Sequence, residues 1–531
     1  MSFITHSLKR LGKASYSPEE ARARKEAKED PFADVSLFAR EPIEFDLITQ
    51  LTHMSGVATS GLARDKLFEG TAELDYSTSK YFRRVHRVAR RLNYDYSRAC
   101  EMVAEQVKRD SIQNLLLHFA TALSSGESEV DFLERETEVQ LELYGKKYER
   151  DMESLRKWTD AYVALMVSTT LVIVISLVSM MIYPMGVSAI VGLSFIVMLV
   201  TAAGGWIIYA VAPHEVKTHR LKRKSHEQAR LEALGVILIS ITGPVLALGW
   251  LLVGLGPAMI ICSLILTPLA YLAWIDDTKV NKRDNDMAAF LRALGSVMGA
   301  VGTTVTEGLA RLNRRALGAM EPHVRRLYVR LANDINPDLT WQRLSGETGS
   351  ELVTRTVRIF SEGIRLGGDP AVVGALAAAF AQKVSLLRAT RSMIASTFAF
   401  VIVPMHAALL GILLFVTEVV RVFGNKIADV QDANLDSEVV QQAGVSSAIA
   451  FAAPDMSFIT ALVSIMIILL TVTDSFAPYA ASGGHRYKVF CYACVMLMIS
   501  GVSMIVVPEF VQALFSSVSE TPQAGMPVVP R

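Results

Sequence analysis

The sequence predicts an all-α integral membrane protein with about seven transmembrane helices and two helical cytoplasmic blocks. Three observations predict it. Hydrophobic residues make up 51% of the 531 and charged residues only 20%, with a mean hydropathy of +0.34, a balance that soluble enzymes seldom show. The apolar residues gather into runs of roughly 20, the helical length that crosses a hydrocarbon core of about 30 Å. Between the runs, apolar residues recur at helical spacing, as in Leu115, Phe119, Ala122 and Leu123, or Val357, Phe360, Ile364 and Leu366, with no sustained strand-like alternation. A formal net charge of +1 points to no nucleic-acid partner, so charge must act locally.

Residues 1–43 are a charged cytoplasmic lead-in, in which Ser17, Pro18 and Glu20 fit an N-cap, a first-turn proline and an N3 acid, predicting a helix over 18–29. No apolar run follows the polar and basic start, so neither a cleaved signal peptide nor a prepilin-type leader is expected. Residues 44–160 form the first cytoplasmic helical block. Residues 161–276 hold four membrane helices in two hairpins: 161–183 and 187–211 about a turn at Pro184 and Gly186, then 234–255 and 257–274 about Gly254, Gly256 and Pro257. Residues 277–391 form the second cytoplasmic block. Residues 392–515 hold three more spans, at 393–417, 456–472 and 489–507, with an acidic outer loop over 424–455, and 516–531 are a tail.

Lysine and arginine concentrate in cytoplasmic loops and fix orientation. The loop 214–230 carries Lys217, Arg220, Lys222, Arg223, Lys224 and Arg230 against Glu215 and Glu227, whereas 424–442 carries Asp429, Asp432, Asp436 and Glu438 against Lys426. The first connection is therefore expected inside and the second outside, which places the N-terminus in the cytoplasm and the C-terminus outside, with Arg486 and Lys488 on the last inner loop in agreement. The helix over 136–157 alternates acids and bases, as suits an exposed helix with i,i+4 pairs that extends the first span into the cytosol.

The two blocks match at a shift of 243 positions, which aligns Asn93 with Asn336, Asp95 with Asp338, and Ser124-Ser125-Gly126 with Gly367-Gly368-Asp369. A spacing this wide reads as duplication of a domain and not as a solenoid. In both copies a helical run ends at a small-residue turn, as C-cap chemistry requires, and a further helix leads into the membrane. A helical cytoplasmic domain, repeated and each time followed by membrane helices, resembles the type II secretion F-domain family of inner-membrane platform proteins. Residues 136–167 (ETEVQLELYGKKYERDMESLRKWTDAYVALMV), Gly56-Val57-Ala58-Thr59-Ser60-Gly61 and Phe82-Arg83-Arg84 are most similar to its archaeal-type branch, which includes archaellum and pilus platforms. The second copy resembles the pattern in Phe290-Leu291-Arg292-Ala293-Leu294 and Gly367-Gly368-Asp369.

The resemblance implies two homologous cytoplasmic F domains, a cell-membrane location, a separate hexameric secretion-type or archaellum-type ATPase as partner, and pilin-like or archaellin filament subunits. It implies a mechanical part without catalytic, cofactor or metal residues. The sequence agrees where it can be read. Gly56 and Gly61 stand at a Walker A interval, but Leu62 occupies the place of the phosphate-binding lysine. Cys491 and Cys494 form a CxxC at the start of an apolar helix without a second pair and read as packing residues, while His214, Glu215 and His219 lack the order of a metalloprotease helix.

The basic cluster Arg311, Arg314, Arg315, Arg325, Arg326 and Arg330 is the candidate ATPase contact, since the guanidinium fork suits carboxylates on a partner; a solvated face or lipid headgroups are the plainer readings. For the inner loop of Lys217, Arg220, Lys222, Arg223 and Lys224, topology and lipid contact are expected. His406, after Pro404 in the fifth span, is a functional candidate by position, but a lone histidine is expected to bond a carbonyl freed by the proline. Asp455 and Asp474 read as interface markers. Small residues such as Ala202-Ala203-Gly204-Gly205 suit a homodimeric core or packing within one chain. The rival class is a membrane transporter with duplicated halves, against which the scarcity of intramembrane charge and the weight of the cytoplasmic blocks both stand.

Overall fold

The computed structural model describes residues 43–182, 187–213, 215–219, 221–434 and 456–519. The predicted lead-in helix, the turn at Pro184 and Gly186, His214, Arg220, and Asp436, Glu438 and Asp455 of the outer loop lie outside them. All regular elements among the described residues are helices, joined by one isolated antiparallel bridge between Thr218 and Ser350. The described residues divide into two compact units, one of 43–50 with Leu62–Leu133, the other of Leu51–Gly61 with those from Glu134 onward.

The first unit contains α2 (Arg64–Ala72), α3 (Ser79–Leu92), α4 (Tyr96–Ala104) and α5 (Asp110–Ser125), together with the first half of α1 (Ile43–Ala58) and the start of α6 (Glu129–Ile182). Its core is aromatic. The Phe119 ring meets Phe132 at 4.9 Å and Phe68 at 5.9 Å, both edge-on, and Phe68 stacks on Tyr96 at 4.5 Å, contacts that add to the burial of such large side chains. Gln50 knits in the start of α1, donating to Thr71 O and accepting from Thr78.

The second unit continues with α6 and then α7 (Val187–Val211), α8 (His226–Leu252), α9 (Leu255–Val301), α10 (Val305–Arg311), α11 (Glu321–Ala332), α12 (Pro337–Thr348), α13 (Glu351–Arg365), α14 (Pro370–Asn434), α15 (Met456–Ser482) and α16 (Val489–Ser519). Among the described residues, seven helices are long and apolar enough to cross a membrane: α6, α7, α8, α9, α14, α15 and α16. Helix α8 makes the case most clearly. Its apolar window is only 6% buried, with Leu251 and Leu252 at 82% and 73% exposure, so most of its hydrophobicity serves no internal core. Water would leave that area unfavourable at about 25 cal/mol per Å², whereas lipid matches it. The inward faces of the other spans share one core that includes Met166, Phe398, Leu410, Met466 and Ile467.

Two boundaries differ from expectation. Three spans are parts of much longer helices, since α6 has 54 residues, α9 has 47 and α14 has 65. The division at residue 277 therefore falls inside α9, and the outer connection begins as helix, because α14 continues to Asn434. No proline interrupts α9 after Pro268 or α14 after Pro404, so nothing in the backbone chemistry stops either helix at the membrane surface.

Some backbone landmarks recur along the chain, at a different register from the residue matches. Left-handed residues close corresponding helices at Gly61 and Gly302, Asn93 and Asp334, and Gly126 and Gly367, each pair 241 positions apart. Asn93 ends α3 with φ 54°, a conformation that Asn and Asp tolerate among non-glycine residues. Asn336 instead opens α12 by accepting from Leu339 N, and its counterpart is Asp95, which caps α4 by accepting from Ser97 N. The pairing of Asn93 with Asn336 is thus corrected: chemical likeness chose two residues with opposite duties at helix ends.

Candidate functional site

A set of buried charges gathers where the loop 213–224 meets α9, α14 and the turn from α12 to α13. Its centre is Arg388 of α14, which donates to Glu215, to Asp284 Oδ2 at 2.5 Å and to Val216 O at 3.4 Å. All three charged side chains are less than a tenth exposed. Asp284 also accepts from the Ser350 hydroxyl, and Ser350 caps α13 by accepting from Val353 N at 3.2 Å. Glu351 N donates to Lys217 O at 3.0 Å. One guanidinium thus ties α9, α14, the loop and the start of α13 together.

Beside it, Asp277 of α9 holds two ammonium groups, Lys217 at 2.5 Å and Lys488 at 2.9 Å. Burial pulls the Lys217 ammonium below the usual lysine range, against the opposing influence of Asp277. Arg391, one helical turn beyond Arg388, donates to Pro213 O, Ala481 O and Ala480 O at 2.9, 2.9 and 3.2 Å. It therefore closes the C-terminal end of α15, whose last carbonyls have no helical partner. Gly483, at φ 62°, permits the approach: a Cβ there would lie 2.8 Å from the Arg391 guanidinium carbon.

The turn from α12 to α13 is held from the other side. Arg283 donates to Thr348 O at 2.6 Å, Gln228 to Gly349 O at 3.0 Å, and His219 Nε2 lies 3.2 Å from Gly346 O. Gly349 has φ 74°, and a Cβ there would meet the Gln228 amide at 2.6 Å. Buried ion sets of this kind add little over well-packed apolar substitutes, but removing one member leaves uncompensated charge. The arrangement joins the turn from α12 to α13 to the long helices α9 and α14.

The expected basic residues divide. In the inner loop, Lys217 turns inward to Asp277 and Lys224 pairs with Glu232, while Lys222 and Arg223 are exposed and Arg220 is outside the described residues. In the arginine cluster, Arg326 and Arg330 both bind Glu347, Arg326 at 2.8 Å, and Arg326 also donates to His323 Nδ1 at 2.9 Å. Arg311 makes a long, exposed pair with Glu307 at 3.4 Å. Arg315 and Arg325 are exposed, and the Arg314 side chain is outside the described set.

His406 requires a correction. Its Nδ1 lies 2.6 Å from Asp474 Oδ2 and its Nε2 2.9 Å from Ser500 Oγ, so the histidine has an intramembrane carboxylate and does not bond a proline-freed carbonyl. Asp474 is no interface marker, being fully buried in α15. Cys491 and Cys494 donate to Ala270 O and Ser263 O of α9 at 3.1 and 3.3 Å.

Sequence reasoning missed Arg388, Arg391, Asp284 and Asp277. The spacings were present: Asp277 and Asp284 are seven residues apart, and Arg388 and Arg391 three, both of which place side chains on one helical face. A division of α9 at its membrane end hides that face.

Two curated proteins are similar to this chain, both named flagella accessory protein J. The one from Methanocaldococcus jannaschii is 26% identical over 309 residues, 55% of this chain and 54% of the relative. The one from Methanococcus voltae is 21% identical over 449 residues, 82% of this chain and 79% of the relative. The match thus spans about half the length of the first relative. These similarities bear out the archaeal-type resemblance drawn from the sequence. No family model and no solved structure matches.

Proposed function

We propose that this chain is the membrane platform of an archaellum-type machine, coupling a separate cytoplasmic ATPase to the assembly or rotation of a filament. The observation that carries the reading is the similarity to two flagella accessory J proteins, one of them across 82% of the chain. Seven membrane-length helices support it, as does the continuity of α6, α9 and α14 from polar into apolar sequence. In this reading the two helical blocks are F domains facing the cytoplasm, and the N-terminus lies inside with the C-terminus outside. A hexameric secretion-type ATPase binds them, the membrane helices receive pilin-like or archaellin subunits, and the platform works as a homodimer.

The mechanism follows from the joint around Arg388. A force applied to α10–α13 reaches α9 and α14 through Arg388, Arg283 and Ser350, and each of those two helices continues without a break into a span. Rigid transmission needs a joint without soft contacts, which buried and fully paired charges supply. The test is genetic. Cells lacking the chain are expected to make no filaments, with assembly restored by the wild-type chain; normal filaments in its absence would overturn the reading.

A further inference from the structure

Five hydrogen bonds meet inside the membrane helices around His406. Tyr162 of α6 donates to Asp474 Oδ1 at 2.8 Å, and His406 Nδ1 lies 2.6 Å from Asp474 Oδ2. His406 Nε2 lies 2.9 Å from Ser500 Oγ of α16, Ser500 Oγ lies 2.7 Å from Thr471 Oγ1, and Thr471 donates to Ile467 O at 2.7 Å. The five side chains are at most 2% exposed. No water is needed to join them.

Each contact requires one hydrogen. Tyr162, Ser500 and Thr471 supply one apiece, so the Asp474–His406 pair must supply the other two. A carboxylate beside a singly protonated imidazole has only one, and one contact in the chain would then set two lone pairs face to face. With two hydrogens every contact is filled, and the hydroxyls align in one direction from His406 through Ser500 and Thr471 to Ile467 O. The same state is electrically neutral overall, which is what a low-dielectric interior favours. Around the pair, α6 presents Tyr162, α15 presents Asp474 and Thr471, and α16 presents Ser500. Helix α7 brings Gly204 against the Tyr162 ring, where a Cβ would lie 2.8 Å from Cδ2. Among the contacts of the described residues, Tyr162 is the other titratable group at the pair.

We infer that Asp474 and His406 form an intramembrane proton-binding site that retains one proton beyond those of a carboxylate and a neutral imidazole, and that this proton completes a polar lock joining α6, α14, α15 and α16. The ligand is the proton itself. Losing it would leave a net negative charge among apolar side chains and break the alignment of hydroxyls, so the lock and the proton stand or fall together. The inference does not depend on the proposed platform role.

The test uses the purified full-length protein in detergent at neutral pH. Infrared difference spectra between wild type and Asp474→Asn report whether the Asp474 carboxyl carries a proton. Nitrogen NMR of ring-labelled histidine, with His406 assigned by subtraction of His406→Gln, counts protons on the imidazole. The inference expects a carboxylate with a doubly protonated ring, or a carboxylic acid with a singly protonated ring. A carboxylate facing a singly protonated ring would overturn it.

Discussion

Arg388 is the residue on which the joint turns, because two buried carboxylates, Glu215 and Asp284, depend on it. Arg388→Gln is expected to destabilise the folded protein by about 3–5 kcal/mol, the range for a buried ion set deprived of one member, as measured by thermal or denaturant unfolding in detergent. Arg325→Gln, at an exposed position, should change stability by less than about 0.5 kcal/mol. A second prediction concerns pH. Burial, aided by Arg283 and Arg326, pulls the His323 imidazole down to about 3, and the Arg326 donor to its Nδ1 fits the neutral ring. In the unfolded chain the same ring titrates near its ordinary value of about 6.5, so the unfolded state binds more protons between the two values. Its contribution to stability is present in full above about pH 6.5 and is lost as the pH falls toward 3. Between pH 7 and pH 5 the wild type should therefore lose more stability than His323→Phe does, read as the difference between their unfolding temperatures at the two pH values. His219, whose affinity is likewise lowered by burial, acts in the same direction.

The close approach of α9 and α14 is an element-scale feature, and two glycines create it. A Cβ on Gly374 would lie 2.9 Å from Gly295 Cα and 2.9 Å from Leu291 O, and one on Gly295 would lie 2.4 Å from Pro370 O. Gly374→Ala must push the helices apart and is expected to cost roughly 1–3 kcal/mol. In α2, nothing lies within 4 Å of a Cβ built on Gly70, so Gly70→Ala should instead stabilise by about 0.5–1 kcal/mol, and the two variants compared by unfolding separate contact from propensity. Much of the element plan is legible because membrane length and apolarity are counted along the chain: each of the seven expected spans falls on a separate long helix, although the third, 234–255, runs past the end of α8 at Leu252. What escaped was continuity. Hydropathy changes at Trp274 and near Met393, and reading that change as a boundary divided α9 and α14, although a helix needs no boundary where its surroundings change from water to lipid. The site was legible in part for the same reason. Lys217 was noticed as a charge, but its partner Asp277 is 60 residues away, and periodicity within one helix carries no record of such a contact. Depth likewise singles out His406, whereas Asp474 stands two residues past the expected end of its span and so reads from the sequence as lying outside it.

For the whole molecule, orientation and partnership are the properties at stake. Cysteine placed at Lys222 should react with a membrane-impermeant thiol reagent only after the inner face is opened, and cysteine at Asp432 should react from outside in intact cells; the reverse pattern would invert the proposed topology. The recurrence of left-handed residues at 241 positions fits a duplicated helical block, and the proposed coupling gives both copies work to do. The central claim is that a separate ATPase binds this chain. The most direct measurement is co-purification of the intact protein from gently solubilised membranes, as wild type and as a variant with Arg311, Arg315 and Arg325 each changed to Glu. Those three arginines are exposed, whereas Arg326 and Arg330 brace Glu347, so their reversal should leave the fold intact. Recovery of a hexameric secretion-type ATPase with the wild type and its loss with the variant is the predicted result. A folded wild-type protein that brings down no such ATPase would contradict the account.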